Sequence, residues 1–267
     1  LSRQKLGQHF LRSSPVLARI VDSLRAQPGD TILEIGPGKG ALTGPLLAAG
    51  FRVEAVELDP AMVAHLEAQW PVDSAALHVH CIDVLKADLT RWGPVTVAGN
   101  LPYYITSPIL RRLYSMGTFL RTAVLLMQLE VAERLVAKPG TRDYGFLSVL
   151  TQAHALPELL FRVPPGAFHV PPKVQSAVVR ITPRNQAVDE AFIAFLGWCF
   201  SQKRKTLRNN LRAYFPPHLV DALPQAGLRA EQLELEELHS VWLKLKGQPD
   251  PHSSQPVTNP PDSRHTE

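Results

Sequence analysis

The sequence predicts an α/β fold in which a mixed, mostly parallel sheet carries helices on both faces and a small all-helical C-terminal domain follows. Three observations lead there. Short β-like apolar runs alternate with helical patterns through the first two thirds of the chain, as a parallel sheet with crossover helices requires. Beyond Pro183-Arg184 the β-like runs stop and helical periodicity takes over. Apolar residues make up 45% of the 267, enough to bury a full core without disulfides or metal.

In chain order, the β-like runs fall at residues 31–35, 52–56, 77–82, 95–98 and 122–127, and helical stretches at 41–49, 60–70 and 108–115 lie between them. Residues 158–163 and 174–182 read as a late antiparallel hairpin. Helical patterns then cover 187–200, 203–214 and 230–245, punctuated by Pro216-Pro217 and Gly227. From Gly247 onward the chain is rich in Pro, Ser and Asp, and Val257 is its only aliphatic residue. Such a segment cannot bury enough surface to fold. The expected organisation is therefore a catalytic domain over 1–184, a helical domain over 185–246 and a disordered tail over 247–267.

Cys81 and Cys199 are far apart and lack C-x-x-C spacing, which favours a reducing compartment and argues against thiolate-bound zinc. No stretch approaches the roughly 20 apolar residues that span a bilayer, and no signal-peptide pattern opens the chain. A cytoplasmic monomer is expected. The formal charge of +4 and pI near 9.2 permit a polyanionic partner without requiring one. Lys203, Arg204, Lys205, Arg208 and Arg212 crowd together, while Arg3, Lys5 and Arg12 mark the N-terminus. A solvated helix face would explain either cluster. The absence of any acid from Gln202 to Arg212 favours a phosphate-contacting surface.

Ligands of parallel sheets bind at the carboxyl ends of the strands. After the first run comes Glu34-Ile35-Gly36-Pro37-Gly38-Lys39-Gly40, a G-x-G-x-G turn whose glycines let the backbone approach a ligand. Glu57 follows at the end of the second run, 21 residues after Gly36, where a carboxylate can accept from both ribose hydroxyls. Asp59, just beyond it, reads as a helix cap. Asp83 ends the third run and is placed to accept from an adenine amine. Gly, then Glu, then Asp at three strand ends is the order in which Rossmann-like class I methyltransferases hold S-adenosylmethionine. A nicotinamide enzyme would share only the first two features.

The fourth run ends in Gly99-Asn100-Leu101-Pro102-Tyr103-Tyr104. A plain Gly-Asn-x-Pro turn before core aromatics is one explanation. At this strand end, beside a methyl-donor pocket, it resembles the [N/D]-[P/L]-P-[Y/F] turn of amino methyltransferases. The chemistry accounts for these residue types. An adenine N6 lone pair is delocalised into the ring, so the amine is a poor nucleophile. The Asn100 side-chain oxygen and the Leu101 carbonyl can hold both N–H groups and meet the charge that develops on nitrogen. Pro102 stiffens the turn, and Tyr103 offers a stacking face. Tyr104 reads as a packing residue. His78 and His80 share a strand face near Cys81, which a partly exposed strand explains without a metal.

Together with three flanking segments, these residues resemble the small-subunit branch of the rRNA adenine dimethylase family. The segments are Gly7-Gln8-His9-Phe10-Leu11, Val163-Pro164-Pro165-Gly166-Ala167-Phe168, and Pro172-Lys173-Val174 followed by Ser176-Ala177-Val178. The run from Gln202 to Asn209 matches as well, and the likeness spans roughly residues 3–245. It implies transfer of two methyl groups to each of two adjacent adenosines in a loop near the 3′ end of small-subunit rRNA, during maturation of that subunit. It further implies that His9 and Leu11 line the cofactor pocket with Gly36, Gly38, Glu57, Asp83 and Asn100, and that Phe168 packs on the target base opposite Tyr103. Two positions depart from the family pattern. His9 stands where the family has Asn, which puts that cofactor contact in question. Val170 replaces the first proline of F-x-P-x-P-K-V, which does the same for the loop around Phe168.

Other functions would use the same pocket. A large-subunit rRNA adenine methyltransferase of the antibiotic-resistance type shares it, but the helical domain and the 163–178 segment favour the small-subunit branch. A nucleic-acid-binding assembly or transcription factor on this fold would not need Glu57, Asp83 and Asn100. A DNA adenine methyltransferase would carry a sequence-reading module, and nothing here resembles one.

Overall fold

The computed structural model describes residues 9–70, 76–184 and 186–247. The expected tail beyond Gly247, Arg3, Lys5 and the start of the Gly7–Leu11 match lie outside these. The described residues fall into two compact units, one within 1–133 and 155–185 and the other within 134–154 and 186–267.

The first unit is built on seven strands: β1 (Thr31–Ile35), β2 (Arg52–Glu57), β3 (Leu77–Cys81), β4 (Val95–Asn100), β5 (Leu120–Gln128), β6 (Ala155–Val163) and β7 (Ser176–Pro183). Their order across the sheet is β3-β2-β1-β4-β5-β7-β6. The first five strands pair in parallel, whereas β7 runs antiparallel to both β5 and β6. Helices α1 (Ser14–Asp22), α2 (Thr43–Ala48), α3 (Pro60–Gln69) and α4 (Thr106–Tyr114) accompany these strands. Ile32, Val53, Ala55, Ala98 and Val124 pack with Leu17, Ile20 and Leu46 into one core cluster. The alternate residues Leu33, Ile35, Val97 and Leu125 are equally buried. Burial of both sets means that both faces of the sheet are covered, which is why its strands read as continuous apolar runs.

Local sequence explains the ends of these helices. Asp59 accepts from the Ala61 N–H at 2.9 Å and caps α3, with Pro60 preset for the first turn. Pro15 plays the second role in α1. The helix expected from residue 108 already starts at Thr106, so Pro108 falls in its first turn, where a missing N–H costs nothing.

Helix α5 (Leu129–Val136) leads into the second unit, which holds α6 (Phe146–His154), α7 (Glu190–Cys199), α8 (Leu207–Leu211), α9 (Pro217–Asp221) and α10 (Leu235–Leu245). Tyr144, Val149, Phe195, Leu207, Phe215 and Trp242 share its core. The buried Tyr144 hydroxyl donates to the Leu233 carbonyl at 2.9 Å. All three helices expected after residue 185 are shorter than their periodicity implies; Asp189, accepting from the Ala191 N–H at 2.9 Å, caps α7 so that it starts at Glu190 rather than at residue 187. Glu237 Oε2 accepts from the Glu234 N–H at 2.9 Å, a capping box that starts the last helix at Leu235 rather than at residue 230. Residues 203–205 are not helical. Asn210, buried, donates Nδ2–H to the carbonyls of Cys199 and Gln202 at 2.7 and 3.3 Å. That side chain competes with helical continuation and fixes a loop instead.

Candidate active site

Strands β2 and β3 lie on one side of β1 and β4 lies on the other, so the sheet reverses its winding between β1 and β4. A pocket opens at the carboxyl ends of these strands, where such a reversal leaves a crevice. Its lining includes His9, Leu11, Gly36, Gly38, Glu57, Asp83, Asn100, Leu101, Pro102 and Tyr103.

Beyond β1 the chain turns through Gly36 and Gly38, at φ +66° and +56°. A Cβ on Gly38 would lie 2.7 Å from the Phe10 ring, so glycine is required there for space as well as for backbone conformation. The buried Glu57 carboxylate faces this turn. Its Oε2 accepts from the Gly38 N–H at 3.0 Å, and its Oε1 from the N–H groups of Leu58 and Asp59 at 2.8 and 2.9 Å. Three backbone donors hold the carboxylate in one orientation. Asp83 Oδ1 accepts from the Leu85 N–H at 2.9 Å, and its Oδ2 has no hydrogen-bond partner among the described residues. Exposed Leu58 and Ile82 sit beside these two acids on the lining. Sequence reasoning passed over both; the signal was an aliphatic residue adjoining each strand-end acid.

Glu34 was also passed over. Although it precedes the glycine turn, it is 2% exposed and borders the pocket. Burial raises its carboxyl pKa to about 7; the Thr43 hydroxyl, donating at 2.7 Å, opposes that rise and the nearby Glu57 charge adds to it.

At the end of β4, a Cβ on Gly99 would stand 2.8 Å from the Ile35 carbonyl oxygen, so a glycine lets β4 approach β1 just before Asn100. Asn100 Nδ2 donates to the His9 carbonyl at 2.8 Å. Because a carbonyl only accepts, this contact fixes the amide orientation. Asn100 Oδ1 has no hydrogen-bond partner among the described residues. The Leu101 N–H donates to the Leu126 carbonyl at 2.9 Å and ties the turn to β5. Tyr103, half-buried, shares a 2.7 Å hydrogen bond with the Ser176 hydroxyl, and burial raises its phenol pKa. Tyr104 is not a packing residue. The short turn after Pro102 directs it outward, 54% exposed at the pocket, where partial desolvation and the charges of Asp83 and Glu57 raise its pKa.

Residues 9–13 run beside the segment 167–170. Leu11 bridges Phe168, the Arg12 N–H donates to the Ala167 carbonyl at 2.9 Å, and the His169 N–H donates to the Phe10 carbonyl at 2.8 Å. Phe168 has no exposed surface and belongs to the core cluster; it is not among the residues lining the pocket. The His9 ring meets it edge-on at 6.3 Å and stacks against Tyr103 at 5.6 Å. On the outer strands, His78 and His80 hydrogen-bond with opposite oxygens of Glu54 on β2, at 3.1 and 2.6 Å.

The basic run belongs to the second unit. Lys203, Arg204 and Lys205 are exposed on the loop that Asn210 fixes, and Lys203 Nζ donates to the Arg142 carbonyl at 3.0 Å. Arg208 and Arg212 converge on Asp221, at 2.9 and 2.7 Å. That acid is remote in sequence and partly offsets their charge, which leaves Arg204 and Lys205 as the members without a partner among the described residues. Also among the described residues, no helix is long and apolar enough to cross a membrane.

The sequence profile of the family described as ribosomal RNA adenine dimethylase matches residues 1–243. The ribosomal RNA small subunit methyltransferase A of Thiobacillus denitrificans is 43% identical over 250 residues, covering 91% of this chain and 97% of the relative. Among solved structures, a dimethyladenosine transferase from Plasmodium falciparum has the same fold, with a TM-score of 0.77 at 24% identity over 88% of this chain and 97% of that one. The 23S rRNA methyltransferase ErmE superposes with a TM-score of 0.69 at 27% identity, covering 88% of this chain and 99% of its own. With a profile match over most of its length and a relative this similar, the chain belongs to the ribosomal RNA adenine dimethylase family.

Proposed function

We propose that the chain transfers methyl groups from S-adenosylmethionine to N6 of two adjacent adenosines near the 3′ end of small-subunit rRNA, two to each base, during subunit maturation. The observation that carries this reading is Asn100, held by the His9 carbonyl so that Oδ1 is left over, on the same pocket as the fixed Glu57 carboxylate. The donor set suits the cofactor. Glu57 has an acceptor position left for a ribose hydroxyl, Asp83 Oδ2 is available to an adenine amine, and Leu58 and Ile82 offer apolar faces to a flat ring. His9, Leu11, Gly36 and Gly38 complete that wall.

When bound, S-adenosylmethionine supplies an activated methyl on a sulfonium. Held by Glu57, Asp83 and the Gly36–Gly38 turn, it would give that methyl to the N6 lone pair, with the electron pair of the broken C–S bond leaving on sulfur. Asn100 Oδ1 and the Leu101 carbonyl accept the N6 protons, favour a pyramidal nitrogen and face its developing positive charge with fixed dipoles. The nitrogen, cationic after transfer, then loses a proton to water. Pro102 keeps the turn rigid, which maintains the line between nitrogen and methyl. Tyr103, braced by Ser176, stacks on a base that has left its helix, and the buried Phe168 supports that stack through the His9 ring. Lys203, Arg204, Lys205, Arg208 and Arg212 supply phosphate contacts on the RNA, with Arg204 and Lys205 the freest to do so. The reading is of a cytoplasmic enzyme acting as a monomer on immature small subunits.

Small-subunit rather than large-subunit RNA is favoured by the 43% identity to a small-subunit enzyme against 27% to a 23S enzyme. Steady-state methyl transfer with Asn100→Ala tests the mechanism. Loss of turnover by about 100-fold or more with RNA affinity retained is expected; turnover equal to that of the unmodified chain would remove Asn100 from the chemistry.

A further inference from the structure

His9 touches three things at once. Its carbonyl accepts from Asn100 Nδ2 at 2.8 Å. Its ring stacks against Tyr103 at 5.6 Å with planes 30° apart. Its Nδ1 lies 2.8 Å from the Val170 carbonyl oxygen. A carbonyl cannot donate, so Nδ1 must carry the proton in this contact, just as the nitrogen of Asn100 must face the His9 carbonyl. The two residues that depart from the family pattern are thus bonded to each other.

We propose that the His9 side chain is a positioning residue for Asn100: its Nδ1–H, clamped to the Val170 carbonyl, holds the His9 carbonyl where it turns Asn100 Oδ1 toward the reacting amine. The inference rests on the role given above to Asn100 Oδ1. Its physical content is a two-link chain. The backbone of residues 9–13 is already anchored beyond His9, through the His169 N–H on the Phe10 carbonyl and the Arg12 N–H on the Ala167 carbonyl. Among the described residues, the imidazole clamp is the side-chain tie on His9 itself, the residue whose carbonyl meets Asn100. Without it that carbonyl can rotate away, and the Asn100 amide is then free to flip and present Nδ2–H to an amine that needs an acceptor. Ring stacking on Tyr103 is a separate property of the same side chain, and substitutions can separate the two.

An Asn side chain can place an amide nitrogen where the His Nδ1 stands, so His9→Asn keeps a donor and loses the ring. His9→Phe keeps a stacking ring and loses the donor. Methyl transfer to undermethylated small subunits is measured for both, alongside the Asn100 side-chain amide signals in selectively ¹⁵N-labelled protein. The expected result is a kcat lowered by about 10–100-fold in His9→Phe with KM for RNA little changed, and a kcat in His9→Asn well above that of His9→Phe. The Asn100 amide signals should broaden or shift in His9→Phe and return in His9→Asn. Full kcat in His9→Phe, or a kcat in His9→Asn no higher than in His9→Phe, would overturn the clamp. The amide signals separate this inference from the wider reading. If they respond as expected while the unmodified chain methylates no adenine, the function is wrong and the clamp stands. If the chain is active and the signals are indifferent to residue 9, the clamp is wrong and the function stands.

Discussion

Replacing Glu34 by Gln should stabilise the protein in a way that depends on pH. Glu34 is buried beside the glycine turn, with Thr43 its hydrogen-bond donor and Glu57 close enough to oppose a second negative charge. Its carboxyl pKa is raised from 4.5 to about 7 in the folded protein. Below the lower value the group is protonated in both folded and unfolded chains, and it contributes no pH-dependent cost. Between the two values the unfolded chain releases its proton first, so rising pH favours unfolding. Above the higher value both states are ionised and the penalty is complete, at about 3 kcal/mol from about 1.4 kcal/mol per pH unit of the gap. Gln is close in shape to the protonated acid, still accepts from Thr43 and never ionises. Calorimetric melting of both forms from pH 4.5 to pH 8 reads the difference directly. The melting temperatures should nearly coincide at the acid end, and the variant should rise above the unmodified chain by roughly 6–12 °C at the alkaline end. A gap that stays constant across the range would refute the assignment of a buried, mostly protonated Glu34.

Two further outcomes are expected. Gly38→Ala should cost about 1–2 kcal/mol, because φ is +56° and the added carbon meets Phe10 at 2.7 Å; chemical denaturation gives the loss, and equilibrium titration should show weaker binding of S-adenosylmethionine. Reversing Lys203, Arg204 and Lys205 to Glu should weaken RNA binding and reduce the slope of log affinity against log salt by about 2, with an unchanged slope removing that loop from the interface.

The sheet was legible because strands covered on both faces read as apolar runs, and Gly36, Glu57, Asp83 and Asn100 stand where those runs end. Asp59 was legible as a cap because its partner is two residues away. What escaped the sequence depends on contacts remote along the chain. The basic run looked helical until the Asn210 amide is seen to take the carbonyls of Cys199 and Gln202. Asp221, which answers Arg208 and Arg212, comes after an intervening stretch with no acid in it. Tyr144, Val149 and Ala153 join the core of Phe195 and Trp242 although the other buried residues of that core follow residue 185. Phe168 is covered because residues 9–13 pair with its segment, and nothing in its own neighbourhood encodes that pairing. Tyr104 faces out because of a turn geometry that composition does not report.

Dimethylation of small-subunit rRNA adenosines at this pocket leaves a specific chemical product. The most direct measurement supplies the purified protein with isotope-labelled S-adenosylmethionine and with small and large ribosomal subunits that lack these methyl groups. The RNA is then digested and the labelled nucleosides are identified and mapped. Labelled N6,N6-dimethyladenosine at two adjacent positions near the 3′ end of the small-subunit RNA is the predicted result. Label confined to the large subunit, or on any atom other than adenine N6, would contradict it.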